Sequence, residues 1–594
     1  MNCKTASALT IYFVTIQGKS RRDSLTADFK KANREVSDGA RASRAITQKQ
    51  VALALAGIFF LNLLLRVFYI RYDFVNGDEG VRALTALRLL EGARLYVDVV
   101  TDKPPGTTFF YATVFAIFGR SMAAVHLAAA VWNFATSFVI YLTGARLYGK
   151  KAGLWAALLF VYFSTNYLTQ DMMAANTELL MALPYTAAFY FYSSAPSRAR
   201  SWLLLFIAGA MAGAATLFKQ VGVLTLLFFA LYELFVIFIA RRSEDASRVK
   251  WLLKASSPSL ARLLPAGLGF AAVIATFLLW LYWNDALFDF WRNVVVLGGH
   301  YVEAVSADLW FGFFRRRALG YVLFNITLWS LAAWIAARAL AGLGKRDQSN
   351  NEVMADLRVT LWAATSLLGV LAGGRFFGHY FIQVLPALSL LAARGVLLLQ
   401  ERLRDPARKR RAQVAATLLV ATTLFCIVRF HHRTAILAYE TITGTRTRWS
   451  EPWGMTRRER EAETISRFVR SRLDEGEPLY IWDYALDVYW LTGCRPASRY
   501  LAPYYITGKF PDAAMSPDAE GEQFLIEARA HLIEDLKRSR PPLILDVYGK
   551  LRELPYAELI EFLDANYEYE GEVGPNPGRP FVVFRLIESP NETQ

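Results

Sequence analysis

The chain has 594 residues, 54% of them hydrophobic, a mean hydropathy of +0.25 and a net charge of +15. That apolar content excludes an ordinary soluble domain. The Lys and Arg residues lie in short clusters between apolar runs rather than in one basic domain, so loop charges beside membrane spans account for them better than nucleic-acid binding does. The three cysteines, Cys3, Cys426 and Cys494, are far apart, and neither a disulfide framework nor a zinc site is implied.

Residues 1–49 read as a polar, basic cytoplasmic tail. Runs of roughly 20 apolar residues then mark about eleven spans. They fall near residues 51–70, 122–147, 153–169, 177–192 and 202–218, then a run ending at Arg241-Arg242, then 263–283, 321–340, 360–372, 381–399 and 414–430. With the N-terminus inside, this count puts RLYGKK, SRARS, RRSEDASRVK, GKRDQSN and ERLRDPARKRR all in the cytoplasm. The expected organisation is a membrane domain over 50–430, with a first outer loop at 71–121, followed by an extracytoplasmic domain over 431–594. In that last part, charged amphipathic helices alternate with the short apolar runs PLYIWDY, PLILDVY and PFVVFRL, the pattern of a small α/β domain. The fold class is a polytopic α-helical membrane protein carrying such a domain at its C-terminal end.

Every candidate motif falls on the outer side of this topology. The first loop carries NGDEG, with Asp78 and Glu79, and then TDKPPG, with Lys103. An acid there can serve as a general base and a lysine can hold a lipid phosphate, since both need a partly desolvated site at the interface. A solvated loop with a proline turn fits the same residue types equally well.

This first-loop pattern resembles the GT-C superfamily, particularly the bacterial branch related to protein O-mannosyltransferases of glycosyltransferase family 39 and to the aminoarabinose transferase that modifies lipid A. The resemblance covers most of the chain. It implies a glycosyltransferase that takes a sugar from a polyprenyl-phosphate donor and attaches it to a lipid, protein or glycan acceptor. The expected setting is the outer face of the inner (plasma) membrane. The Asp-Glu pair corresponds to Asp78 and Glu79, and Asp102-Lys103-Pro104 to the later Lys-Pro step. The Asp is thereby assigned to acceptor activation and the Lys to the phosphate.

A second acidic motif is expected between the third and fourth spans, where Asp171 and Glu178 lie; Glu178 stands where the family has an Asp, which leaves the choice between them open. Acids favoured by a helix dipole explain the pair equally simply. Lys219, in LFKQVG, is a further phosphate candidate or a snorkelling side chain. His300, with Arg292 nearby, matches a region where the family places a histidine near the leaving phosphate, although a lone loop histidine is often incidental. Arg375, in GGRFFGHYF, is expected at a second phosphate or sugar contact because its fork fits phosphate oxygens. No cofactor is required by the sequence, and metal dependence stays open because an acidic pair serves either as base or as ligand. The alternatives are a polysaccharide ligase or polymerase, whose function usually sits in long late loops, and a transporter, which predicts two related halves that are not evident here.

Overall fold

The computed structural model describes residues 46–587, apart from 71, 196–200, 244–247, 344–350, 446–454, 516–517, 548 and 575–580. The expected cytoplasmic tail up to residue 45, the segment GKRDQSN, nearly all of SRARS and the middle of RRSEDASRVK therefore lie outside the described residues. Residues 1–56 and 57–594 form separate units, and the described part of the first is residues 46–56, which include the start of the helix Gln48–Arg66.

Six described helices are long and apolar enough to cross a membrane by themselves: Gln48–Tyr69, Met122–Tyr148, Gln220–Phe238, Ala261–Trp283, Asn351–Ala372 and Lys409–Thr443. A seventh candidate is a broken pair, Ala307–Phe324 and Ile326–Gly342, whose legs meet at 86°. The span expected over 321–340 is thus interrupted at Asn325. The other four expected spans fall on the helices Lys150–Phe163, Thr177–Ser194, Trp202–Phe218 and Leu385–Arg404. Two of these, Thr177–Ser194 and Leu385–Arg404, are buried along much of their length. A helix that other helices shield needs neither full length nor unbroken apolarity.

Small residues set the closest helix approach. A Cβ added to Gly209 would lie 1.8 Å from the Ala266 carbonyl oxygen, and one added to Gly269 would lie 2.0 Å from that of Phe206. Trp202–Phe218 and the helix that ends at Trp283 thus touch backbone to backbone, as small residues allow between membrane helices.

The last bundle helix runs on to Thr443, past the boundary expected at residue 430. Beyond it comes a five-stranded sheet of order β2-β1-β3-β5-β4, where β1 is Pro478–Trp482, β2 Arg495–Pro496, β3 Leu543–Asp546, β4 Tyr567–Val573 and β5 Phe581–Leu586. The strands β2, β1 and β3 are parallel, and β5 and β4 join antiparallel. The three apolar runs read from the sequence are β1, β3 and β5, the centre of the sheet. Continuous apolar strands suit a sheet covered on both faces.

One core cluster joins this domain to the first loop and the bundle: Leu84, Leu95 and Tyr96 pack with Leu281, Leu479, Val488 and Leu545. At Gly80 the approach is tight, since an added Cβ would meet the Leu486 Cβ at 2.9 Å. The C-terminal domain is therefore seated directly on the helix that carries Asp78.

Candidate active site

The helix Gly77–Leu90 begins at Asn76, whose side-chain oxygen accepts from the Glu79 N–H at 3.1 Å, an N-cap bond. Glu79 answers by accepting from the Val75 N–H at 2.7 Å. Its other oxygen accepts from the Ala175 N–H at 2.6 Å and meets His126 Nε2 at 3.0 Å. Glu79 is fully buried, and its bonds fasten the first loop to the segment before Thr177.

One residue earlier the helix has turned by about 100°, so Asp78 faces the other way. It lines a cavity of about 750 Å³, with its side chain 57% exposed and Arg82 at 3.3 Å one turn on. The same cavity is lined by Asp102, Lys103, Asp171, Glu178, Lys219, Arg317 and His379, and by the rings of Tyr301, Tyr380, Tyr484, Tyr504 and Phe510. Segments from at least six regions of the sequence converge there.

The charges are arranged in pairs. Lys103 Nζ lies 2.5 Å from Asp102 Oδ2 and 5.3 Å from the centre of the Tyr301 ring. Lys219 Nζ lies 2.5 Å from Glu178 Oε1 and 3.8 Å from the centre of the Tyr380 ring. His379 Nδ1 is 2.9 Å from Asp171 Oδ1, and its Nε2 is 3.9 Å from Glu178 Oε1. The acids Asp171 and Glu178 thus both face one histidine.

The electrostatics follow from these neighbours. Burial alone would raise the Asp78 carboxyl, but Arg82, His379 and Lys103 together hold it below the usual carboxylate range. Burial opposes charge on Lys103, yet Asp102 and Tyr301 outweigh it and hold the ammonium above its ordinary range. In Lys219 burial wins over Glu178, with repulsion from Lys103 and Arg82 adding to it, and the group sits below the ordinary lysine range. Burial would lower His379 as well, but Glu178 and Asp171 reverse the sign and favour the imidazolium. The cavity therefore favours the carboxylate at Asp78, the imidazolium at His379 and the ammonium at Lys103.

Four of the residues named in the sequence stand elsewhere. Glu79 lies behind the cavity, as described. Arg375 is fully buried, donates to the carbonyl oxygens of Tyr301 at 2.6 Å and Pro511 at 3.3 Å, and has its guanidinium 3.6 Å from the Tyr301 ring centre. It braces the cavity wall rather than lining it, because its fork is turned to backbone carbonyls. His300 is also buried and off the lining, with Nδ1 at 3.7 Å from Glu303 and 3.9 Å from Asp518. Among the described residues, His300, Glu303 and Asp518 form a group with metal-ligand spacing. Arg292 lies against the C-terminal domain, 3.1 Å from Glu527.

Sequence reading passed over Arg82, Arg317, Tyr301, Tyr380 and Tyr504. Arg82 had a readable signal, four residues after Asp78 on an amphipathic helix. Arg317 sits in a run of three arginines, and only the fold shows that it alone of them lines the cavity, with Nη2 2.7 Å from Asp512.

Residues 102–283 match the family model described as dolichyl-phosphate-mannose-protein mannosyltransferase. No curated protein matches the chain. Among solved structures, ArnT from Cupriavidus metallidurans bound to undecaprenyl phosphate is 13% identical over 91% of this chain and 98% of its own, with a TM-score of 0.53. The apo state of the same protein gives 14%, 90%, 98% and 0.53. The Archaeoglobus fulgidus oligosaccharyltransferase tethered to an acceptor peptide is 15% identical over 90% of this chain and 74% of its own, at a TM-score of 0.46. The chain resembles GT-C glycosyltransferases in sequence over the matched segment, and it has the GT-C fold of ArnT.

Proposed function

We propose that the protein is a membrane glycosyltransferase that moves a sugar from a polyprenyl-phosphate donor to an acceptor hydroxyl on the outer face of the inner membrane. The observation that carries this reading is the convergence of Asp78, Lys103, Lys219 and His379 in one cavity at the end of the bundle that carries the C-terminal domain. The mannosyltransferase family match and the undecaprenyl phosphate bound to ArnT support the donor class.

The acceptor oxygen attacks the anomeric carbon as the bond from that carbon to the phosphate oxygen breaks. Asp78, ionised and open to the cavity, receives the hydroxyl proton. Lys103 and Lys219 face the departing phosphate, and each ammonium keeps N–H groups beyond its carboxylate partner. Charge develops on the phosphate oxygen in the transition state, where fixed cations in a partly desolvated site stabilise it most. Direct displacement gives inversion and needs no covalent sugar intermediate. Arg375 acts through Tyr301, which it holds against Lys103. Loops rich in Lys and Arg on the opposite side set the orientation.

The test is sugar release from a panel of polyprenyl-phosphate sugars by purified protein, with Asp78→Asn alongside. Turnover of one donor by the wild type, lost in the variant while donor binding persists, is the expected outcome. A wild type that binds none of the donors, or a variant of full activity, ends this reading.

A further inference from the structure

The C-terminal domain supplies part of the cavity wall. Strand β1 ends at Trp482, and the chain turns at Asp483, whose φ of 93° is strained for any residue with a Cβ. Two hydrogen bonds hold the turn: Asp483 Oδ1 accepts from the Tyr484 N–H at 2.6 Å, and the Asp483 carbonyl accepts from the Ala485 N–H at 3.1 Å. The result is a Tyr484 side chain that lines the cavity and is 37% exposed, whereas its neighbours on β1 are buried.

Beside it stands Tyr504, with ring centroids 6.5 Å apart and planes at 33°. Tyr504 is braced from behind by Tyr505, at 4.3 Å between centroids and 3.1 Å between hydroxyls, and by Phe510 at 5.7 Å. Two rings of the C-terminal domain therefore face the cavity that Asp78 and Asp102 also line. Rigid aromatic faces rimmed with hydroxyls match one ligand shape closely, a pyranose, which has an apolar C–H face and a polar edge. An extended peptide would instead be read by a strand edge, and this wall presents side chains.

We infer that Tyr484 and Tyr504 form a sugar subsite on the C-terminal-domain side of the cavity, which stacks a pyranose ring of the acceptor and turns one of its hydroxyls toward Asp78. The acceptor class is then a carbohydrate, either a glycan or the sugar headgroup of a lipid. This inference rests on the proposed transfer at Asp78 and adds what is glycosylated. Strain at Asp483 fixes the aim of Tyr484, so Asp483 is a positioning residue.

The test uses the full chain in nanodiscs loaded with undecaprenyl phosphate. Binding of a panel of methyl pyranosides is followed by saturation-transfer NMR, with a serine-containing tripeptide as the comparison probe. The expected result is saturation of the C–H protons of one ring face for at least one glycoside. Affinity should fall about three- to tenfold in Tyr484→Ala and Tyr504→Ala, the usual worth of an aromatic contact. It should be kept in Tyr484→Phe, and undecaprenyl phosphate binding should stay unchanged in all three. Glycoside binding indifferent to both Ala variants, or binding of the tripeptide in preference to every glycoside, overturns the subsite. A Tyr484→Ala variant that loses affinity for a glycosylated polyprenyl phosphate but not for the glycosides places the ring on the donor and overturns it too. Failure of the wild type to bind undecaprenyl phosphate would strike the proposed function instead, with the glycoside signal still readable.

Discussion

The floor of the cavity and the shell directly behind it are built from the same residue types, acids with a histidine and cations, yet they are wired differently. In the shell, Glu79 has both oxygens occupied by two backbone N–H donors and a histidine, and no exposure. On the floor, Asp78 has one charged partner and a side chain more than half open. Arg375 and Lys103 repeat the contrast, the first bound to backbone carbonyls and the second lining the cavity beside a single carboxylate. Adjacent residues of like charge thus divide into chemistry and scaffold by how much bonding capacity the fold has already satisfied.

Breaking the floor should cost turnover without stability. Asp78→Asn keeps the shape and removes the base, so kcat/KM for sugar transfer should fall on the order of 10²–10⁴-fold, with the thermal midpoint unchanged. Lys103→Ala should lower kcat on the order of 10²–10³-fold, as loss of one charge-stabilising donor does, and also weaken lipid phosphate binding.

Breaking the shell should do the reverse. Glu79→Gln turns an amide NH₂ toward a backbone N–H, and each donor left unsatisfied costs about 1–3 kcal/mol, visible in chemical denaturation. Activity per folded molecule should survive.

The smallest effect sharpens the contrast through pH. His379 is raised above the ordinary imidazole value of about 6.5. Its positive charge therefore persists to higher pH than that of an ordinary imidazole and is lost as pH rises past the folded value, so donor turnover should decline on the alkaline side by a few fold. His379→Gln should flatten that limb. Asp78, held low, adds no limb until pH falls below the usual carboxylate value of about 3.9.

The membrane class, the α/β run of the C-terminal segment and the grouping of Asp78, Lys103, Asp171, Glu178 and Lys219 in segments that meet at one cavity were legible because hydropathy and loop charge act over whole segments. What escaped reading depends on single-residue rotation or on tertiary partners. Asp78 and Glu79 are indistinguishable as letters, and one helical step of about 100° separates their fates. Arg375 and His300 sit in segments that border the cavity, but the approach of Pro511 and Asp518 from the distant C-terminal domain decides where they point. Tyr484 is legible as a strand-loop residue of the C-terminal domain, but the turn at Asp483 is what brings it to the cavity.

The elbow at Asn325 bears on the bilayer itself. Asn166 donates to the Asn325 side-chain oxygen at 3.0 Å and to the Phe324 carbonyl at 3.3 Å, which fills the hydrogen-bonding gap that a broken helix leaves and makes the joint stiff. With legs at 86°, when Ile326–Gly342 runs along the membrane normal, Ala307–Phe324 must lie along the surface. The upright leg has 17 residues and rises only about 25 Å, short of a hydrocarbon core of about 30 Å. A leg shorter than the hydrocarbon core is accommodated by local thinning of the bilayer, by flanking side chains that reach the interface or by packing against neighbouring helices.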